Sequence, residues 1–543
     1  MLYRLNDGTR IFKAQQVKIN DKQRVELLEV QNQDTKADNF KLILKKVGFN
    51  YIGTPQKFDE IFMNIDNTAK NAEIINTYGW QPESKMYVFS DCAIGNNQIL
   101  KPNSIGIIEN STGTQFYLPT ASPANKNNPE MEELKNFVYK AGTLNFKDFA
   151  LLFYNSNELN GSIGIMYYLL SLFRDIVFLH LDFFPYLFLF GTAGGGKTSY
   201  AEILISLFGD YSKGLDVKNI TKASISRIAS QKRNTITYYK EYKKDVEDYI
   251  EQYFKSGYDG VSRTISTGVA KNTITFKIES AGMLDSNFLP TNDESVFSRM
   301  IILDFDNSSF TDKQRTAFLE IKNHKETGLV QITKEVLQNR TLFEDNFKDV
   351  YYFVLDTLKN GKMKDFKDRE RAIKHVALIL TPFHILNGVL SFPFDIETLE
   401  NIIINHAEKQ YEKLNEFKST GVFWQAMAYY KSENKIKEYI ETNDRTKAYY
   451  FKDVQKKTLY IKSTKFDELH TLYCEYCRKK QIPQSSLPEI RNALLTKGYK
   501  PYIENPQKGK KVFNQTYIGS SYAFQYSIND NGNLIIDNLE LEL

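Results

Sequence analysis

The segment GTAGGGKT, Gly191 to Thr198, lies between PYLFLF and TSYAEILISLF, and this succession limits the possible folds more than any other feature of the chain. PYLFLF is a proline and five apolar residues of strand length, the pattern of a parallel strand buried on both faces. TSYAEILISLF has helical spacing and stops at Gly209, a helix-ending glycine. The turn between them matches G-x-x-x-x-G-K-[ST], with Gly191, Gly196, Lys197 and Thr198 in the defining places. Strand, loop and helix stand in the order that a phosphate-cradling loop requires.

The spacing has a physical reason. Glycines let backbone N–H groups close around a β-phosphate, and Gly194 and Gly195 add freedom. The helix N-terminus adds partial positive charge, Lys197 reaches the β and γ oxygens, and the Thr198 hydroxyl ligates Mg²⁺. With Ser199 these residues form the expected nucleotide-binding set, and the expected cofactors are ATP and Mg²⁺.

Hydrolysis needs a carboxylate at the end of a neighbouring strand to hold a magnesium-bound water, and a second to polarise the attacking water. ITYYKEYKK places Glu241 at the carboxyl end of a strand, where ligands collect in open α/β sheets. Lys240 stands where a magnesium-associated Asp is expected, and a cation beside a divalent ion costs on the order of several kcal/mol at intermediate dielectric. Lys240 must turn away or weaken the site. SAGMLDSN ends a further strand and offers Asp285, Ser286 and Asn287 as readers of the γ-phosphate. Arg299 lies just before the strand MIILDF, as an arginine that reaches a neighbouring subunit would.

At 543 residues the chain is too long for one core, and three or four domains are expected. The first 120 residues alternate apolar and polar positions in short runs, with one helix at KFDEIFMNI, a β-rich α+β pattern. ASPANKNNPEME, Ala121 to Glu132, reads as a linker. Repeated strands at NTITYY, TITFKI to SAGMLDSN and MIILDF argue for a parallel sheet. Beyond about Asp312 the pattern is helical to about Asn443. TLYIK, FDELHTLYCEYCRKK, SSLPEIRNALLTKG and a strand pair around NPQKGKK then follow the order of a winged helix.

The charge is +4, from 70 cations against 66 anions, so any basic surface is local. The three cysteines, Cys92, Cys474 and Cys477, are too few for a disulfide framework and fit a reducing compartment, with the cytoplasm as the default. MLYRLNDGTR lacks the layout of a signal peptide. The apolar stretch from Ile163 to Gly191 is interrupted by Arg174, Asp175, His180 and Asp182 and reads as core rather than membrane. High Lys, Asn, Ile and Tyr usage points to an AT-rich source. His470, Cys474 and Cys477 share one helical face, which is more often packing than a metal site. Lys508, Lys510 and Lys511 in a wing turn, with Arg491 and Lys497, suit phosphate contacts.

The ordered set GTAGGGKT, KEYKK, SAGMLDSNFLP and VFSRMIILDF resembles the superfamily 3 and poxvirus-type primase-helicase group within AAA+ ATPases, which includes phage and plasmid replication proteins. YGWQPESKMYVF is similar to the module that precedes such ATPase domains, and the C-terminal region to their winged-helix tail. The resemblance implies an α/β multidomain chain: a β-rich α+β module over 1–130, an AAA+ ATPase core over 131–311, a helical region over 312–445 and a winged helix over 446–543. It implies ATP-driven movement along single-stranded or forked DNA by a ring, a hexamer, with Glu241, Asn287 and the trans-acting Arg299 as catalytic residues. A β-hairpin before SAGMLDSN would carry a DNA-contacting cation, Lys271 near its tip, with Arg263 as second choice. No polymerase or primase carboxylate constellation is evident, so priming would need another chain, a primase or polymerase partner, or a missing segment. A nucleotide-gated DNA-binding assembly without unwinding, and a small-substrate phosphotransferase, use the same loop. The extra modules argue against the latter.

Overall fold

The computed structural model describes residues 2–15, 25–243, 247–266, 273–287, 289, 294–305, 310–366, 369–417, 419–455, 457–482, 484–496, 513–515, 519–528, 534–536 and 539–541. Contacts gather the chain into two units, 1–289 with 298–403, and 404–543 with 290–297.

In the first unit, a six-stranded sheet runs Val25–Val30, Arg10–Gln15, Tyr3–Leu5, Lys70–Ile74, Gln115–Tyr117, Ile107–Glu109. The helices Ala37–Lys46 and Pro55–Thr68 bury Phe40 and Phe58 with Phe12, Leu28 and Val30 of the sheet. Pro55–Thr68 contains the expected KFDEIFMNI; Ala37–Lys46 is a second helix that the alternating pattern around it concealed.

A second sheet is an antiparallel meander, Tyr78–Gln81, Met86–Val88, Ala93–Gly95 and Gln98–Leu100, joined at its edge by Lys232–Arg233. Residues some 150 positions apart thus share one sheet. At Gly79 φ is 89°, and a Cβ there would strike the Arg233 carbonyl. The Arg340 guanidinium stacks 4.0 Å over the Trp80 ring and pairs with Asp175 at 2.5 Å, closing the same junction. Ala121 to Glu132, expected as a linker, forms short 3₁₀ turns in which Ser122 and Asn125 are buried.

The central sheet is parallel. In chain order its strands are β1, Tyr186–Gly191; β2, Leu215–Asp216; β3, Ile236–Lys240; β4, Ala281–Ser286; and β5, Met300–Phe305. In space they run β2-β3-β4-β1-β5. All pairings are parallel, with Leu187 opposite Met283 and Ile301. The strands expected from NTITYY and MIILDF are β3 and β5; the run expected from TITFKI on to SAGMLDSN divides, SAGMLDSN giving β4 while Thr273–Lys277 pairs antiparallel with Val261–Ser266 outside this sheet. β1 lies between β4 and β5, and its residues Leu187, Phe188 and Leu189 are fully buried, as in a parallel strand covered on both faces.

The long apolar stretch resolves into the helix Phe146–Leu172, the helix Arg174–Leu181 and β1. The first is buried throughout 161–172, and Tyr167 ties it to the sheet by donating to the Gly282 carbonyl at 2.7 Å. Arg174 is buried between the Phe178 and Phe184 rings, at 4.9 and 5.4 Å, and burial lowers its pKa to about 10. Asp175 pairs with Arg340. Among the described residues no single helix is long and apolar enough to cross a membrane; these two helices pass that test only as a pair bent by 81°. Helices Asp312–Thr327, Val330–Leu337, Arg340–Asn360 and Glu370–Leu386 complete the unit.

The second unit packs helices Ser419–Ser432, Phe466–Lys480 and Leu487–Thr496 on an antiparallel sheet ordered Tyr450–Asp453, Thr458–Lys462, Gly519–Gln525, Phe513–Gln515. Phe423, Trp424, Phe466, Tyr473, Leu494 and Phe524 form its core. The turn with Lys508, Lys510 and Lys511 lies outside the described residues, as does Lys497.

Candidate nucleotide site

β1 ends at Gly191, whose φ of 150° and contact with the Phe305 carbonyl of β5 exclude a side chain. Five residues on, Gly196 (φ 90°) caps the helix α1, Lys197–Leu207, so the chain reverses into a helix whose first N–H groups face the loop. The loop borders a cleft of about 660 Å³ that is lined by residues 193–199 and by Glu241, Tyr242, Lys243, Asp285, Ser286 and Asn287. Such a volume suits a nucleotide-sized ligand, and both Thr198 and Ser199 line it.

Lys197 is 7% exposed. Its ammonium donates to the carbonyls of Gly191 (2.6 Å) and Thr192 (2.8 Å) and to Asn287 Oδ1 (3.0 Å), which occupies all three of its protons. Burial holds its pKa below the ordinary lysine value, and the Asp285 carboxylate opposes that shift.

The carboxyl ends of β3 and β4 supply the opposite wall. Glu241 is exposed, with φ of 57°, and its backbone N–H donates to Asp285 Oδ1 at 2.7 Å. Lys240 points elsewhere: its Cγ and Cδ lie 3.0 Å from where a Cβ on Gly214 would stand, just before β2. Lys240 is not among the residues that line the cleft. The three candidates at the end of β4 part company. Ser286 is buried and donates to the Tyr242 carbonyl at 2.6 Å, Asp285 is buried beneath Tyr238 and Glu241, and Asn287 is the exposed residue that meets Lys197.

Sequence reasoning missed Tyr238. Its hydroxyl donates to Asp285 Oδ2 at 2.6 Å. Burial, reinforced by Asp285, holds its pKa well above the ordinary phenol value, so it remains a donor. The period of 2 along β3 places it on the same face as position 240, a signal the sequence did contain.

Arg299 is not at this cleft. Its carbonyl accepts from Tyr186 N at 3.1 Å, at the amino end of β1. Its guanidinium stacks 5.4 Å over Tyr258, over which the Arg371 guanidinium also lies at 5.5 Å. Arg263 lies in the strand Val261–Ser266, which pairs antiparallel with Thr273–Lys277 as the expected hairpin; Lys271, between them, is outside the described residues. In the second unit Arg491 lies 3.5 Å from Asp467 and over the Phe466 ring. Cys477 is buried in the core, His470 Nε2 meets the Ser485 carbonyl at 3.0 Å, and no His, Cys, Asp and Glu group among the described residues is arranged to hold a metal.

No protein-family model and no curated protein matches the sequence. Solved structures do match. The chain is similar to SCCmec type IV Cch, described as an active helicase, at 14% identity and a TM-score of 0.55 over 95% of this chain and 90% of that one. JCV helicase bound to an inhibitor matches at 14% identity and a TM-score of 0.24, over 35% of this chain and 53% of that one. The apo NrS-1 C-terminal region matches at 12% identity and a TM-score of 0.25, over 75% and 91%. The Cch match shows the shared fold; the other two are too distant in shape to add to it.

Proposed function

We propose that the chain is an ATP-dependent DNA helicase or translocase that acts as a ring, a hexamer, in the replication of a phage or mobile element. The carrying observation is the meeting of the P-loop, Glu241 and Asn287 at the carboxyl ends of β1, β3 and β4, on a fold shared along nearly the whole chain with a helicase.

The residues present fit ATP and Mg²⁺: loop amides at 194–196 and α1 for the phosphates, Lys197 for the β and γ oxygens, and Thr198 for the metal. Bound Mg²⁺ would neutralise charge that develops on the transferring phosphoryl group. Glu241, exposed at the cleft, orients the attacking water, and Asn287 reads the γ-phosphate from beside Lys197. Arg299 serves the neighbouring subunit. The hairpin with Arg263 and Lys271 meets single-stranded or forked DNA in the channel, and the C-terminal sheet and helices act as a winged helix. A separate primase or polymerase supplies synthesis, and the setting is the cytoplasm.

The test is single-stranded-DNA-stimulated ATP hydrolysis and fork unwinding by the purified chain beside Lys197→Ala. Stimulated turnover that the variant abolishes supports the motor. Lys240 at the position of the expected β3 carboxylate favours one other reading, a nucleotide-gated DNA-binding assembly; ATP binding and ring formation without turnover would select it and sink the motor.

A further inference from the structure

Asp285 stands level with Lys240 in the sheet but one strand nearer the P-loop. The pairs Tyr238↔Met283 and Tyr239↔Leu284 set the register of β3 on β4, and Leu189↔Asp285 sets that of β4 on β1. Its side chain is nine-tenths buried, at 6% exposure, yet it lines the cleft. The donors to its carboxylate among the described residues are neutral, Tyr238 Oη on one oxygen and the Glu241 N–H on the other. Lys197, which feels its charge, is bonded instead to Gly191, Thr192 and Asn287. Buried carboxylates in proteins are as a rule paired or coordinate a metal. Thr198, whose hydroxyl the loop offers a divalent cation, lines the same cleft as this carboxylate.

We propose that Asp285, on β4, is the carboxylate that holds a magnesium-bound water beside Thr198, in place of any residue on β3. Tyr238 holds one oxygen of Asp285 in the cleft that Thr198 also lines, and Lys240 is not among that cleft's residues. The assignment rests on the nucleotide reading of the P-loop. It departs from the usual arrangement, in which the metal carboxylate ends the strand that carries the water-activating glutamate. It also explains how the site tolerates a lysine at that position.

The experiment is equilibrium binding of a fluorescent ATP analogue to the full chain, with Mg²⁺ and with EDTA, for the wild type and Asp285→Asn. In the wild type Mg²⁺ raises affinity; in Asp285→Asn that gain falls tenfold or more, while affinity in EDTA stays within threefold. A wild-type magnesium dependence in Asp285→Asn overturns the proposal and leaves the nucleotide site standing. A wild type that binds no nucleotide with or without Mg²⁺ overturns both. Should Asp285→Asn not fold, Asp285→Glu keeps the charge and displaces it by one methylene. It is expected to change the ratio of Mg²⁺-supported to Ca²⁺-supported affinity by threefold or more, and an unchanged ratio overturns the proposal.

Discussion

Arg299 and Gly191 stand at opposite ends of the central sheet: the Arg299 carbonyl bonds the first residue of β1, Tyr186, and Gly191 is its last. Six residues of parallel strand span about 17–20 Å. The Arg299 side chain, packed over Tyr258, is therefore out of reach of the cleft beside its own P-loop. Arg299→Ala is expected to lower turnover by about 10³-fold, the range for an arginine finger, with nucleotide affinity little changed. Mixing Arg299→Ala with Lys197→Ala subunits should restore measurable hydrolysis, because a mixed interface can pair an intact loop with an intact arginine. No recovery on mixing would place Arg299 outside any shared site.

Asn287 meets Lys197 at 3.0 Å. Asn287→Ala is expected to reduce ATP turnover by about 10²-fold, the scale for loss of one preorganised polar group in a catalytic site. Binding of the ATP analogue should stay within threefold. A variant that loses binding and turnover in parallel would show that Asn287 serves to shape the loop.

Lys240 packs against Gly214, so its replacement bears on which strand carries the metal carboxylate. Lys240→Asp should change turnover by less than threefold. A tenfold gain would put that carboxylate on β3 after all.

His375 is buried against the Tyr258 hydroxyl at 2.9 Å and its pKa is lowered to about 3, by burial first and by Arg371 second. The folded value lies below the unfolded value of about 6.5. The stability it contributes is therefore complete above pH 6.5 and is lost as pH falls from 6.5 toward 3, with a slope of up to about 1.4 kcal/mol per pH unit. Urea unfolding of wild type and His375→Asn at pH 7, 6 and 5 checks the sign: the variant should show a flatter decline.

Gly79 combines a φ of 89° with the close approach of Arg233. Gly79→Ala should cost about 1–3 kcal/mol and loosen the edge where the meander meets Lys232–Arg233. Urea unfolding measures the cost, and hydrogen exchange of the Tyr78 N–H, which donates to the Gln231 carbonyl at 2.8 Å, localises it.

What the sequence discloses here depends on how local the physics is. The P-loop was legible because strand, glycine turn and helix occupy consecutive residues, and β3 and β5 because each is a short apolar run bounded by polar ones. The pairing of Tyr78–Gly79 with Lys232–Arg233 left no trace, since backbone bonds between distant segments do not require a particular side-chain pattern. Ala121 to Glu132 looked like a linker because 3₁₀ turns use the same prolines, serines and asparagines as loops. The contact of Tyr238 with Asp285 was hidden for a third reason: it needs the register of two strands, and a tyrosine in an apolar run reads as core.

The bonds of Lys197 also set how the loop treats a ligand. With every proton already engaged by Gly191, Thr192 and Asn287, the ammonium cross-braces β1 to β4. An arriving phosphate enters by exchange and must take those protons from carbonyl and amide oxygens. Capture and release of nucleotide therefore alternately loosen and restore a strut between two strands of the sheet. Lys197→Ala deletes that strut along with the phosphate contact.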